Sequence, residues 1–434
     1  RPGLCFLTGE AGVGKSRLTY ELQKKLDHSQ KITWISTEAD QILKKPLNPF
    51  VKYLRKHFNC RLNQDEKTAL RNFENGFNAI VEQSKIYWPE IKEELGRLHS
   101  TFKAILEFKI SKDSTYARLN AEEKYKSVIK AFTTFFHLQA KINPTILFLD
   151  DAQWIDKNSK DFIVNLLREV SDHTLIIFFA LRPDGIDKPK EFLNLQNLSK
   201  PVAILDINLD PLTTSGTIAF SSEILGGQLS KESLDLLQQT SNGNPFYIEQ
   251  LIEYYRSNQL LNYKNDTWHV QEGAIKLNNN INSLLVAKVD NLGTYSREML
   301  KAAAVIGREF EYSVLEEVLK NKSLFEDNEI IDNLKASLKE AEKNNIIRNV
   351  SKGRYLFKHS MQHEVIYEMQ LHTRLKALHE VIADSIERIF QNRLQQRYVD
   401  LVFHYERAEI TEKTKEYLLR SGDFFKDNFQ NNQA

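Results

Sequence analysis

The sequence predicts an α/β fold, a parallel sheet built around a phosphate-binding loop, followed by an all-α half. Three observations predict it. The octapeptide Gly9-Glu10-Ala11-Gly12-Val13-Gly14-Lys15-Ser16 lies between an apolar run and a leucine-spaced run. A second apolar run, Pro144 to Leu149, ends in the paired acids Asp150 and Asp151. Beyond residue 212, apolar residues recur mostly at the three- and four-residue steps of helices.

Leu4 to Thr8 reads as a short buried strand, and Leu18, Leu22 and Leu26 place an apolar face on the helix after the loop. Strand, glycine loop and helix are the context of the P-loop, G-x-x-x-x-G-K-[ST]. The chain has only 16 glycines in 434 residues, and three fall within these eight positions. Glycines let backbone approach phosphate without a Cβ clash. The loop amides and the positive end of the following helix then face the anion. Gly9, Glu10, Ala11, Gly12, Val13, Gly14 and the flanking Arg17 are therefore candidate nucleotide-binding residues. Lys15 is expected to reach the β- and γ-phosphates, and the Ser16 hydroxyl to ligate Mg²⁺.

Lys31 to Ser36 reads as a second strand. Residues 46–137 are helical in pattern, with Phe50, Tyr53, Leu54 and Phe58, then Phe77, Ile80 and Val81, at core spacing. No P-loop core needs so much helix there, so this is an insertion. The acids ending the next strand fall at its carboxyl end, where α/β sheets bind ligands. Asp150 is expected to hold Mg²⁺, and Asp151 to orient or activate the attacking water. The run Thr174 to Leu181 ends in Arg182-Pro183-Asp184, and Arg182 is a candidate γ-phosphate sensor. Ala203 to Leu209 reads as a fifth strand.

Residues 214–261 read as helical, interrupted by Gly243-Asn244-Pro245-Phe246-Tyr247, which ends one helix and starts another. Asn278 to Asn282 reads as a linker. Helices follow at 283–292, 296–306, 314–319 and 330–343. Ile346–Val350 and Arg354–Phe357 flank Ser-Lys-Gly, a hairpin signal, so this region is expected to be a winged helix. Helices over 361–390, 397–408 and 411–425 close the chain, the last pair like the opening of a helical repeat array. The expected domains are 1–212 (P-loop core), 213–277 (helical lid), 278–360 (winged helix) and 361–434 (helical segment).

Composition narrows the partners. A length of 434 residues accommodates two to four domains. Hydrophobic residues at 41% and charged residues at 27% are ordinary for a globular protein. A net charge of +1 offers no general field for nucleic acid or an anionic membrane. Two cysteines, Cys5 and Cys60, support no disulfide framework. No apolar run approaches the ~20 residues of a membrane span, and no signal peptide is visible. A cytoplasmic setting is expected. Both ends read as cuts, since Arg1 precedes the first strand at once and the last helix closes nothing.

Taken together, these motifs resemble the STAND branch of P-loop ATPases, in particular the AAA-16 type of multidomain adenylyl-cyclase-like, kinase-hybrid and LuxR-type signalling proteins. The likeness rests on Gly9–Ser16, on Leu149-Asp150-Asp151-Ala152-Gln153-Trp154-Ile155-Asp156, and on Leu181-Arg182-Pro183. Gly243-Asn244-Pro245-Phe246-Tyr247-Ile248-Glu249 and Phe357-Lys358-His359 complete it. The resemblance implies an AAA+/STAND-type core, a lid in which Pro245 contacts the base, and a winged helix whose His359 reaches the diphosphate. It implies ATP/ADP and Mg²⁺ as ligands, slow hydrolysis, and nucleotide state controlling conformation or self-assembly. It further implies a longer chain, with an effector such as a cyclase or kinase ahead and TPR-like repeats behind that bind protein partners. Asp156 is expected to cap the following helix. A Gly-Arg-Glu segment that precedes the P-loop in the family is absent, a departure that bears on unaided nucleotide affinity.

Two other functions stay open. One is a DNA-associated AAA+ ATPase of origin-recognition type or a LuxR-type transcription regulator; the other is a scaffold that binds nucleotide without turnover. Against DNA, the candidate recognition helix at 328–343 sums to −1. Its acids are Glu329, Asp332, Glu340 and Glu342 against Lys335, Lys339 and Lys343. Nucleic acid is therefore not an expected partner.

Overall fold

Apolar runs in the first half of the chain pair as one parallel sheet. β1 (Gly3–Thr8), β2 (Thr33–Glu38), β3 (Thr145–Asp150), β4 (Leu175–Leu181) and β5 (Ala203–Asn208) lie in the order β2-β3-β4-β1-β5. The structure is a computed structural model that describes residues 2–27, 31–39, 46–60, 65–170, 174–183, 202–271, 281–326, 329–351 and 353–427. The chain divides into two units, residues 1–9 with 15–209 and 419–434, and residues 10–14 with 210–418.

In the first unit, β3 is buried along its length up to Asp150, as its unbroken apolar run requires. β2 begins two residues later than expected and ends at Glu38, which sits opposite Asp150 in the ladder. One face of the sheet carries Phe6, Leu147, Leu149, Ile177 and Phe179 into the core. The insertion supplies α2 (Asn48–His57), α3 (Glu66–Tyr87), α4 (Pro89–Ile105), α5 (Thr115–Arg118) and α6 (Ala121–Ile142), and α7 (Lys157–Glu169) follows β3. Phe50 meets Phe132, Phe136 and Phe162 edge-on at 6.2, 5.8 and 4.6 Å, so the insertion's aromatics are core.

The helix after the loop, α1 (Lys15–Asp27), differs from its expected orientation. Leu18 is 46% exposed, while Lys15 and Thr19 are buried. The helix starts in the phosphate loop, so the lysine that must face the loop sets the inward side. A strict four-residue leucine spacing also drifts by about 40° per step.

The second unit opens with α8 (Thr214–Leu225), α9 (Lys231–Ser241) and α10 (Pro245–Ser257). This segment is not wholly helical, as expected, but includes β6 (Gln228–Leu229), β7 (Leu261–Lys264) and β8 (Thr267–Val270), paired in the order β6-β8-β7. Asn265 and Asp266 both take positive φ, 49° and 58°, and close the β7–β8 hairpin. The turn chemistry was present in the sequence, but the strands are four residues each and carry no clear alternation.

Next come α11 (Ile281–Asp290), α12 (Thr294–Ile306), β9 (Glu309–Glu311), α13 (Tyr312–Leu319), α14 (Glu329–Asp332) and α15 (Leu334–Lys343). β10 (Ile347–Ser351) and β11 (Arg354–Phe357) form the expected hairpin, and β9 adds a third antiparallel strand that was not expected. The expected linker lies mostly outside the described residues, as 278–280 are not among them and Asn282 is within α11. The expected helix over 361–390 is two, α16 (Ser360–Glu368) and α17 (His372–Ile389). α18 (Tyr398–Arg407) and α19 (Thr411–Asp427) follow. No helix among the described residues is long and apolar enough to cross a membrane.

Candidate functional site

In the first unit, β1 delivers the chain to the glycine loop and α1 takes it away. Gly9 N–H donates to Leu181 O at 3.2 Å, tying the start of the loop to the end of β4. The Lys15 ammonium donates to Gly9 O at 2.7 Å and is 9% exposed, so it folds back over the loop rather than into solvent. The Ser16 hydroxyl donates to Asp150 Oδ2 at 2.8 Å across 134 residues. Arg17, by contrast, points outward, its side chain 74% exposed and paired with Glu21 at 2.7 Å.

The sheet order explains the next feature. β4 lies between β1 and β3, so the chain leaves β4 at Arg182 between the phosphate loop and the acids. Asp151 takes a left-handed conformation, φ 50° and ψ 38°, which costs a non-glycine residue about 1 kcal/mol. Its N–H donates to Asp150 Oδ1 at 3.0 Å. Gln153 Nε2 donates to Asp151 Oδ1 at 3.2 Å, and Gln153 Oε1 accepts from Arg182 N–H at 3.3 Å. Gln153 thus bridges Asp151 to the backbone of Arg182. Sequence reasoning missed it, because only the order of the strands shows that one side chain can span both. Strain held by local hydrogen bonds is a mark of functional sites.

Asp156 caps α7, as expected. Its carboxylate accepts from Ser159 N–H at 2.9 Å and Ser159 Oγ at 2.5 Å, and from Leu47 N–H at 3.3 Å. Burial pushes its pKa up, outweighing those hydrogen bonds. Asp184 lies outside the described residues.

In the second unit, the loop's tip, residues 10–14, meets the start of α10. Asn244 Nδ2 donates to Ala11 O at 2.9 Å, and Phe246 N–H donates to Gly12 O at 3.3 Å. The Asn244 Oδ1 also caps α10, accepting from Phe246 and Tyr247 N–H at 3.1 and 3.3 Å. A Cβ on Gly12 would lie 2.8 Å from Asn244 Oδ1 and 2.9 Å from Phe246 Cβ, so this glycine is needed for close approach. Pro245 sits at the first turn of α10, between these two residues. The residue of this motif whose side chain hydrogen-bonds the loop is therefore Asn244, which the sequence reading quoted without giving it a role. The His359 ring packs against Phe246 with centroids 4.5 Å apart and planes tilted by 42°. Burial, then the charges of Lys358, Arg308, Lys288 and Arg348, push its pKa down to about 4.

Among the described residues no group of three or more His, Cys, Asp or Glu side chains is arranged to hold a metal. The donors at hand for Mg²⁺ are the Ser16 hydroxyl and the Asp150 carboxylate, hard oxygens of the kind that cation takes. Gly14, at φ 107° with open space where a Cβ would be, leaves the loop's concave side to backbone amides.

Residues 1–178 match the family model described as the AAA ATPase domain. An uncharacterised protein of Rhizobium meliloti (strain 1021) is 22% identical over 423 residues, which are 96% of this chain and 38% of that protein. The chain thus spans well under half the length of that relative. A STAND protein with a tetratricopeptide repeat sensor from Pyrococcus horikoshii is similar over 98% of this chain and 57% of its own, at 14% identity and TM-score 0.43. Cdc6p from Pyrobaculum aerophilum is similar over 88% of each chain, at 10% identity and TM-score 0.36. The glycine loop, β1, β2, β3 and the acids at the end of β3 fall in the segment that this model matches, while β4 runs past its end and β5 lies beyond it.

Proposed function

We propose that this chain is a nucleotide-operated switch of the STAND kind, the regulatory module of a longer signalling protein. It binds ATP or ADP with Mg²⁺, hydrolyses ATP slowly, and changes conformation or assembly with the nucleotide held. The observation that carries this reading is the meeting of Ser16 Oγ and Asp150 Oδ2 at 2.8 Å beside a buried Lys15. Glycine loops occur in many folds, but that pairing joins the two motifs that a P-loop ATPase needs.

Each residue then has a role. Loop amides and Lys15 hold the phosphates. Ser16 and Asp150 hold the cation. When bound, Mg²⁺ spreads the charge that develops on the phosphate oxygens during transfer. Asp151 orients the attacking water and accepts its proton as the new O–P bond forms and the bond to ADP breaks. Gln153 positions Asp151, and Arg182 stabilises the charge on the transferred phosphoryl group. Within the second unit, Gly12, Phe246 and His359 form one contact path, so a shift of the loop's tip is felt at His359. The reading keeps Pro245 at the base and His359 at the diphosphate. It treats the hairpin-bearing region as a winged helix, and α18 and α19 as the start of a repeat surface for protein partners.

Lys15→Ala should abolish binding of fluorescent ADP and ATP, while Asp151→Asn should retain binding and lose phosphate release. Equal nucleotide affinity in wild type and Lys15→Ala would falsify the assignment. Persistent binding in wild type with no phosphate release would favour a silent scaffold over a switch that resets by hydrolysis.

A further inference from the structure

In the first unit, β2 ends beside the acids of β3, and that end is fixed in place. Glu38 sits opposite Asp150 in the parallel ladder. Both of its neighbours are tied to β3. The Thr37 hydroxyl donates to Phe148 O at 3.0 Å, and Ala39 N–H donates to Asp150 O at 3.0 Å. Side chains alternate along a strand, and directly opposed residues of adjacent strands share a face. Ile35 and its partner Leu147 point into the core, and so does Leu149, the partner of Thr37. Glu38 and Asp150 therefore share the other face, the one on which Asp150 Oδ2 meets the Ser16 hydroxyl at the start of α1. Ser36, two residues earlier on that face, is exposed, whereas Glu38 is half-buried. Two carboxylates on adjacent strands repel, and a cation beside both relieves the repulsion.

We propose that Glu38 is a further acid of the nucleotide site, one that holds a water of the phosphate-bound Mg²⁺ rather than the cation itself. This rests on the reading of Ser16 and Asp150 as the cation's own ligands. Mg²⁺ binds oxygen at about 2.1 Å and keeps several waters when it sits on phosphates. A bond from such a water to a carboxylate adds about 2.6 Å, so an outer acid stands about 4–5 Å from the ion. Adjacent strands lie about 4.8 Å apart, which sets Glu38 at that remove from Asp150. Among the described residues no three acids are placed to hold one ion directly, so the place open to Glu38 is the outer one. Asp151 stands on the opposite flank. Gln153 ties it toward the end of β4, while β2 lies on the far side of β3 from β4. The two acids around Asp150 thus divide the work, Asp151 on the attacking water and Glu38 on the cation's water. β2 is also an edge strand, and edge strands carry charge to discourage pairing with other chains. That role asks nothing of Mg²⁺, and the test separates the two.

The test is binding of a fluorescent ADP analogue to the whole chain, first with Mg²⁺ titrated in and then in EDTA. Glu38→Gln keeps the shape of the side chain and removes its charge. Outer-shell partners are worth about 10–100-fold in metal affinity, so this variant should move the midpoint of the Mg²⁺ titration up by at least about 10-fold. In EDTA it should bind the nucleotide as tightly as wild type or more tightly, because a negative charge near the phosphates has gone. Damage to the fold would instead weaken binding in both conditions. Glu38→Ala should show the same pair of changes. Glu82→Gln, at an acid of α3 whose side chain is 68% exposed, should show neither. Urea unfolding of each variant checks that it folds. A Mg²⁺ midpoint in Glu38→Gln within about twofold of wild type overturns the proposal, and so does equal weakening with and without Mg²⁺. Failure of wild type to bind the analogue at all overturns the reading of Ser16 and Asp150 as well, and is told apart from both by that.

Discussion

Gly243 supports the most sharply worked prediction. It ends α9 at φ +72°, just after Asn242 at φ 48°, and this double left-handed turn aims the chain into α10. A Cβ at Gly243 would lie 2.2 Å from Leu212 O and 3.2 Å from the carbon of the same carbonyl. The neighbour is backbone, and it cannot swing aside, because Leu212 N–H donates to Gly243 O at 2.8 Å. Gly226 is the natural control. Its φ is +69°, almost the same, but nothing lies within 4 Å of an added Cβ. Gly226→Ala should therefore cost only the left-handed penalty, about 1 kcal/mol. Gly243→Ala should cost that plus a backbone displacement of about 1 Å in a tied turn, about 3–4 kcal/mol in all. Gly96→Ala, in the middle of α4 with open space, should stabilise by about 0.5–1 kcal/mol. Urea denaturation measures all three, and peptide-resolved hydrogen exchange over residues 210–257 localises the two left-handed sites. A gap of about 2 kcal/mol between the two left-handed sites is roughly 30-fold in the opening equilibrium. If Gly243→Ala and Gly226→Ala agree within about 0.5 kcal/mol, the steric reasoning is wrong. The functional corollary is that Gly243→Ala displaces Asn244 and so releases the amide that holds Ala11 O.

Two further outcomes follow from buried polar groups. Asp156→Ala removes three hydrogen bonds from a buried cap, including the one that fixes Leu47 ahead of α2, and should destabilise the first unit by about 2–3 kcal/mol in thermal or urea unfolding. His379 and His404 face each other Nδ1 to Nδ1 at 2.8 Å, with the Tyr367 hydroxyl 3.0 Å from the other nitrogen of His379, so one ring must donate and the other accept, and at most one of the two can carry a charge. Burial and the facing ring, with Arg407 beyond, push His379 down to about 2, and burial pushes His404 down to about 4 despite Asp400. The folded state then binds fewer protons than the unfolded one below pH about 6.5, so stability is full above that pH and falls as pH drops toward 4, by up to about 1.4 kcal/mol per unit per ring. The double variant His379→Gln/His404→Gln should lose about 2–4 kcal/mol of the stability difference between pH 7 and pH 5, and an unchanged difference would refute the neutral pair.

What could be read from the sequence was whatever local chemistry demands of contiguous residues. A phosphate loop needs its glycines, lysine and hydroxyl in one octapeptide, and a strand that ends in ligand-binding acids announces itself by an apolar run. The loop, the five strands along the chain, the Asp156 cap and the insertion's aromatic core were therefore legible. What stayed hidden depends on partners far along the chain. Leu18 has the spacing of a core residue and is nearly half exposed, because Lys15's contact with Gly9 sets which side of α1 faces in. The Gly-Asn-Pro run was recognisable, yet only the approach of Ala11, 233 residues away, gives the Asn244 side chain its contact with the loop. The charge on α15 is the clearest case. Summation treated Glu340 and Lys339 as equal and opposite, but Gly293 and Ser296 draw the glutamate inward while nothing draws the lysine. A formal charge is a property of composition, whereas the field a partner meets depends on how the fold arranges the side chains. A carboxylate held by a backbone N–H keeps its full charge, so what the fold changes is where that charge sits and not the count.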